Sequence, residues 1–215
     1  LVSGCAGFLR HEGSSDPRDP WEGTNRAIFK FNESVDKTIL KPLAQGYEKN
    51  VPQKMRMHIT NFFSNLNDLI TAIHHALQLD FRSSTESATR FLVNSTVGIL
   101  GFNDVASKFG VAKTDEDTGQ TLGVYGVSSG PYLVLPLFGP SSVRDGVGRI
   151  VDLFADPLNN IADSKETRVA TNALRVVDTR ARVLSAEQAF DALAFDRYVA
   201  MRSAYFAIRK AQIED

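Results

Sequence analysis

Cysteine is almost missing from this chain: its 215 residues hold one, Cys5, so no disulfide can form within it. An excess of either charge is missing too. With 24 Lys and Arg against 25 Asp and Glu, no basic field exists to neutralise a phosphate backbone, and nucleic acid is excluded as a partner. No window approaches the roughly 20 consecutive apolar residues that a helix needs to cross a bilayer, so the body is not a helical span.

Histidine is scarce, and its placement excludes more. All four (His11, His58, His74 and His75) precede Gly126-Val127-Ser128-Ser129-Gly130, which matches the G-x-S-x-G elbow of hydrolases. That fold places serine, acid and histidine in this order, and here no histidine follows Ser128. Serine-hydrolase chemistry is therefore set aside. His74 and His75 point about 100° apart on a helix, with no Cys or further His at ligand spacing, so they read as a partly buried helix face rather than a metal site. Gly98-Ile99-Leu100-Gly101 lacks the phosphate-cradling glycine patterns, and no cofactor is implied.

What is present is 43% apolar residues, enough for one sizeable core. The most informative stretch is Gly130-Pro131-Tyr132-Leu133-Val134-Leu135-Pro136-Leu137-Phe138-Gly139-Pro140, free of charge and punctuated against an ordinary core helix. It reads as a hairpin-like element, either a plug wedged between helices or a lip that touches lipid. At the start, Leu1-Val2-Ser3-Gly4-Cys5 reads as the end of a bacterial signal peptide with Cys5 as a lipidated residue, the alternative being a free thiol. Ala6, not aspartate, follows the cysteine and points to an outer-membrane address. Residues 6–18 read as a flexible tether, and residues 19–215 as one helical domain.

The rest is helical in pattern. Asp19 is expected as an N-cap with Pro20 at the first helical position and Glu22 as capping-box acid. Ile28, Phe31, Val35 and Ile39 follow on one face until Pro42 interrupts. A second helix opens near Pro52, and Ser83-Ser84-Thr85-Glu86 is expected to cap a third. A short helix is expected from about Asn103 to Phe109, then loop over 110–130. Ser142 starts a helix with Val143, Val147, Ile150, Val151 and Phe154 on one face, ending at Asp156-Pro157. Helical spacing continues to the C-terminus, with a final stripe of Tyr198, Met201, Tyr205, Ile208 and Gln212. No period-two alternation is long enough to argue a sheet, so the class is all-α.

Several separated motifs stand in one order: Asp19-Pro20-Trp21-Glu22-Gly23, Asn25-Arg26, Phe31-Asn32, Lys41-Pro42, Asn61-Phe62-Phe63, Arg90-Phe91, Asn94-Ser95-Thr96, Gly101-Phe102, Gly119-Gln120-Thr121-Leu122-Gly123, Gly130-Pro131-Tyr132, Leu135-Pro136, Gly139-Pro140 and Arg144-Asp145. In these the chain resembles the MlaA (VacJ) outer-membrane lipoproteins of Gram-negative bacteria from Asp19 to Arg209. It departs from them at Leu69, at Leu79, where a glycine often follows Gln, and at Arg197.

The resemblance implies an all-helical ring in the periplasmic leaflet of the outer membrane, with a central amphipathic channel. It also implies binding to trimeric porins, removal of phospholipid misplaced in the outer leaflet, and hand-off to a periplasmic carrier. The hairpin residues Gly130, Pro131, Tyr132, Leu133, Leu135, Pro136, Leu137, Phe138 and Gly139, with Arg144 and Asp145, are then expected to line or gate the lipid path. Arg144 would meet a headgroup phosphate or pair internally with a carboxylate. Phe29, Phe31 and Asn32 are expected to control opening. The rival readings are a porin-associated scaffold that moves no lipid, and a lipid-degrading enzyme using Ser128.

Overall fold

The structure, a computed structural model, describes residues 16–161, 164–187 and 195–214. Cys5 and tether positions 6–15 lie outside the described residues.

Helix α1 (Glu22–Val35) begins after Trp21, and Asp19 is not its cap. Asp19 is fully buried instead, accepting from Asn25 Nδ2 at 2.8 Å, from Arg202 Nη1 at 2.6 Å and from the Tyr198 hydroxyl. A buried carboxylate gains more from an arginine and two further donors than from one capping amide. Nor does Pro42 end this helix. A π-helical turn over Asp36–Leu40 lets the Lys41 N–H reach back to the Asp36 carbonyl. The extra residue absorbs the proline clash, and α2 (Lys41–Asn50) continues with Pro42 in its first turn.

Helix α3 (Gln53–Leu77) opens after Pro52 as expected and folds back through residues 78–80 into α4 (Phe81–Thr96). The cap of α4 is Asp80, whose side chain accepts from Ser83 N–H at 3.1 Å, and not the serine at 83. A 3₁₀ turn occupies Ala106–Phe109, shorter than the expected helix. The segment expected as loop contains α5 (Thr118–Val124), capped by Asp117 on Gln120 N–H at 2.8 Å. Its glycines mask it in sequence, yet they let it pack closely: a Cβ on Gly148 would lie 2.7 Å from Gly119 N.

The charge-free stretch forms an antiparallel two-stranded ribbon, β1 (Tyr132–Leu135) and β2 (Gly139–Ser142), with Tyr132 opposite Ser142 and Leu135 opposite Gly139. Four residues per strand are too few for a periodicity signal, although burial does alternate along β1. Helices α6 (Val143–Ala155), α7 (Pro157–Ile161), α8 (Lys165–Arg182) and α9 (Arg197–Glu214) follow among the described residues. Ser142 caps α6 on Asp145 N–H, as the sequence predicts.

The packing closes a circuit. From α1 the chain runs through the π turn to α2, α2 packs on α8, α8 on α3, α3 on α5, α5 on α6, α6 on both strands, and β1 back on α1. This is a mostly helical ring, with α9 laid against α5 and β2.

Its polarity is inverted. Among the described residues, nine apolar side chains are buried against eighteen polar or charged ones, the reverse of a water-facing domain. The α6 stripe does share a face, but that face points outward: Val147, Ile150, Val151 and Phe154 are exposed, Phe154 by 82%. Arg144, Asp145 and Gly148 lie on the buried face.

Candidate functional site

Helix α1 presents two asparagines seven residues apart, two helical turns, to the open edge of β1. Asn25 donates to the Tyr132 carbonyl at 3.0 Å and accepts from Val134 N–H at 2.9 Å. Asn32 repeats the pattern at the tip, donating to the Leu135 carbonyl at 2.9 Å and accepting from Leu137 N–H at 2.8 Å. Each carboxamide matches a strand edge because it carries one acceptor and two donors on a planar group. The hairpin is thus held on one side by β2 and on the other by side chains of α1.

The hairpin is both plug and lip. Tyr132 and Val134 are buried in an aromatic cluster with Tyr198, packed by Ile28, Phe29, Tyr205 and Phe206. At the turn, Leu137 and Phe138 are 64% and 52% exposed. Leu137 at φ 66° and Gly139 at φ 78° bend the chain there. Of the gating positions, Phe29 meets Tyr198 edge-on at 5.6 Å, Asn32 holds the tip, and Phe31 is exposed.

Beneath the tip lies a cavity of about 430 Å³. Leu66 and Ile70 of α3, Phe138 and Pro140 of the hairpin, Leu153 of α6 and Pro157 give it an apolar wall. The same cavity is lined by the charged residues Glu116, Asp117, Asp145, Arg149, Asp152, Asp156, Arg175 and Arg209. An elongated molecule with an oily part and an ionic part finds both surfaces here.

Of the expected lining residues, only Phe138 and Asp145 reach this cavity. Gly130, Pro131, Tyr132, Leu133, Leu135, Pro136, Leu137 and Gly139 shape or carry the hairpin beside it. Arg144 is internally paired, its Nε donating to Asp145 Oδ1 at 2.8 Å and its Nη1 to the Val127 carbonyl at 3.1 Å. With 8% exposure it has no surface to offer a headgroup. Asp145 is desolvated, which alone would raise its pKa, yet hydrogen bonds from Arg209, Arg144 and Tyr205 outweigh burial and hold it at about 2.

The residues missed are Arg149, Asp152, Arg175 and Arg209. Asp145, Arg149 and Asp152 recur at i, i+4 and i+7 on α6, opposite its valines, so a charged helix face was there to be found. Arg209 bridges Asp145 and Asp117, and Arg175 holds Asp156. Arg149 forms no ion pair among the described residues. It donates to the Phe138 carbonyl at 3.4 Å, with its Cζ 5.5 Å from that ring.

The described histidines are hydrogen-bonded within the fold. His74 Nδ1 lies 3.0 Å from Thr121 Oγ1 and its Nε2 lies 3.5 Å from Asp152 Oδ1, while His75 meets Thr114. Thr121 is buried and does not line the cavity, so this relay orders α3, α5 and α6. No cluster of metal-binding side chains occurs among the described residues, and none of their helices is long and apolar enough to cross a membrane.

Comparison with known proteins now adds identity. The profile of the MlaA lipoprotein family matches residues 17–212. An uncharacterised protein of Rickettsia conorii is 35% identical over 209 residues, spanning 97% of this chain and 83% of its own length. The intermembrane phospholipid transport system lipoprotein MlaA of Escherichia coli is 34% identical over 211 residues, 96% of this chain and 82% of that protein. A solved structure described as the structural basis for maintenance of bacterial outer membrane lipid asymmetry superposes with a TM-score of 0.79 at 31% identity, covering 91% of this chain and 98% of that one. The chain belongs to the MlaA lipoprotein family.

Proposed function

We propose that this protein transports phospholipid in the maintenance of outer-membrane lipid asymmetry. In this reading it takes misplaced phospholipid from the outer leaflet through the cavity inside the ring and passes it to a periplasmic carrier. The observation that carries the reading is the cavity under the hairpin, lined both by apolar Leu66, Ile70, Phe138 and Leu153 and by charged residues of α6, α8 and α9. Acyl chains require the first wall and a phosphorylated headgroup the second. The relatives' description as phospholipid transport lipoproteins supports it.

The inverted polarity supports a seat in the periplasmic leaflet, with a lipid anchor at Cys5. Among the described residues, four non-glycine positions hold a left-handed φ: Leu79, Ile99, Leu100 and Leu137. All are large aliphatics, each between 64% and 67% exposed. In water such positions select glycine or asparagine, because an aliphatic there costs about 1–2 kcal/mol with no packing in return. Contact with hydrocarbon supplies that return.

The protein acts as a conduit and not as an enzyme. Ser128 stands on no strand-to-helix elbow, and no described histidine is hydrogen-bonded to it. Phe29, Phe31 and Asn32 set how firmly the hairpin is held, and porin binding positions the ring against the outer leaflet. The test is mass spectrometry of lipid retained by the protein isolated from membranes. Bound phospholipid is expected; a porin complex with none would favour a scaffold, and lyso-lipid abolished by Ser128→Ala would favour a hydrolase.

A further inference from the structure

The ionic wall of the cavity is not symmetric in charge. Arg209 is spent on Asp117 and Asp145, and Asp145 also receives Arg144. Arg175 is spent on Asp156. Three charged groups of the wall have no ion pair with an Arg, Lys, Asp or Glu among the described residues: Arg149, Asp152 and Glu116. Arg149 and Asp152 sit three positions apart on α6, on one face, and do not pair with each other.

Asp152 is fixed in place, because Thr118 Oγ1 and N–H donate to its carboxylate and His74 Nε2 lies 3.5 Å away. Glu116 accepts from Gln78 Nε2 at 2.7 Å. Both carboxylates are thereby held by donors from Thr118 and Gln78, and neither is paired with an arginine or lysine among the described residues. Arg149 is anchored on the other side by Phe138, at the lip.

One cation beside two anions on a cavity wall is the complement of a zwitterion. Resting on the lipid-conduit reading, we propose that the cavity selects zwitterionic aminophospholipids over anionic ones, with Arg149 binding the phosphate and Asp152, backed by Glu116, binding the ammonium. A guanidinium offers a phosphate two parallel donors, which carboxylates never do. An anionic headgroup of similar size gains the same arginine contact, but then faces Asp152 and Glu116 with nothing to offset them. A headgroup carrying its own ammonium converts that repulsion into attraction, and the discrimination comes as much from the penalty as from the gain.

The test uses the full lipoprotein in detergent, incubated with equimolar phosphatidylethanolamine and phosphatidylglycerol of identical acyl chains, with bound lipid counted by native mass spectrometry. The unaltered protein is expected to retain the first over the second by about threefold or more, the scale of a partly exposed ion pair. Arg149→Ala lowers retention of both lipids. Asp152→Asn, and independently Glu116→Gln, moves the ratio toward one by lowering retained phosphatidylethanolamine and raising retained phosphatidylglycerol. Circular dichroism confirms folding, and the second variant carries the test if the first disturbs α5. Equal retention, a preference for phosphatidylglycerol, or a ratio indifferent to both carboxylate variants overturns the selectivity and leaves the conduit standing. No retained lipid of either kind overturns both.

Discussion

The N–H of Leu137, a residue held at the left-handed φ of 66°, donates to the Asn32 Oδ1 at 2.8 Å, so one side chain of α1 fixes the strained corner of the hairpin. Nδ2 of the same Asn32 side chain donates to the Leu135 carbonyl at 2.9 Å, on the other side of Pro136. Asn32→Ala removes both contacts and leaves the turn to solvent, a loss on the order of 1–3 kcal/mol. Hydrogen exchange at Leu137 should accelerate, and outer-leaflet phospholipid content should change with it. Unchanged exchange would show that β2 alone holds the tip.

A charge at Leu137 tests the lip without touching the core. That side chain is 64% exposed, and aspartate tolerates its backbone conformation better than leucine. Leu137→Asp is expected to leave stability within about 0.5 kcal/mol while blocking the lipid passage proposed above. Normal outer-leaflet composition in this variant would refute a role for the tip in the lipid path.

Gly148 marks a close approach of α5 and α6. A Cβ there would lie 2.7 Å from Gly119 N and 3.1 Å from its Cα, backbone atoms that cannot swing away. Gly148→Ala should therefore cost about 1–3 kcal/mol despite the better helix propensity of alanine, as read from denaturant unfolding. A gain in stability would mean that the two helices slide apart freely.

Asp145 gives the fold an acid limit. Its carboxyl is held at about 2 against an ordinary 3.8, because Arg209, Arg144 and Tyr205 outweigh desolvation. A depressed value means that the stabilisation is complete above the unfolded pKa and disappears as pH falls through the folded one. At 8% exposure the effect is on the order of 2 kcal/mol, lost between about pH 4 and pH 2. Melting temperature should fall across that window in the unaltered chain, and by less in Asp145→Asn, which starts lower because it leaves two arginines underpaired. Parallel curves for the two would remove Asp145 as the acid-sensitive group.

The helical class, the start of α3 at Pro52 and the Ser142 cap of α6 were legible because propensity, capping and periodicity agree there. Asp19, Pro42 and α5 were misread because tertiary partners overrode local rules: a buried arginine recruited the capping aspartate, a π turn absorbed the proline, and glycines that weaken an isolated helix admit a close neighbour. The hairpin was legible as an apolar element but not as a ribbon, since its open edge is completed by Asn25 and Asn32 from more than a hundred residues away. The cavity was half legible. Phe138 and Asp145 could be chosen from the hairpin and its flank, whereas Arg175 and Arg209 reach it only through packing of α8 and α9.

Phe138 lines the cavity, while Phe154 of α6 is exposed and does not line it. A photo-crosslinking residue placed at each position in turn, in cells, separates lipid in transit from lipid at rest against the protein. Phospholipid adducts at position 138 that fade when Leu137→Asp blocks the tip, with adducts at 154 unaffected, are the expected result. Adducts at 154 alone, with position 138 silent in every background, would contradict passage of lipid through this ring.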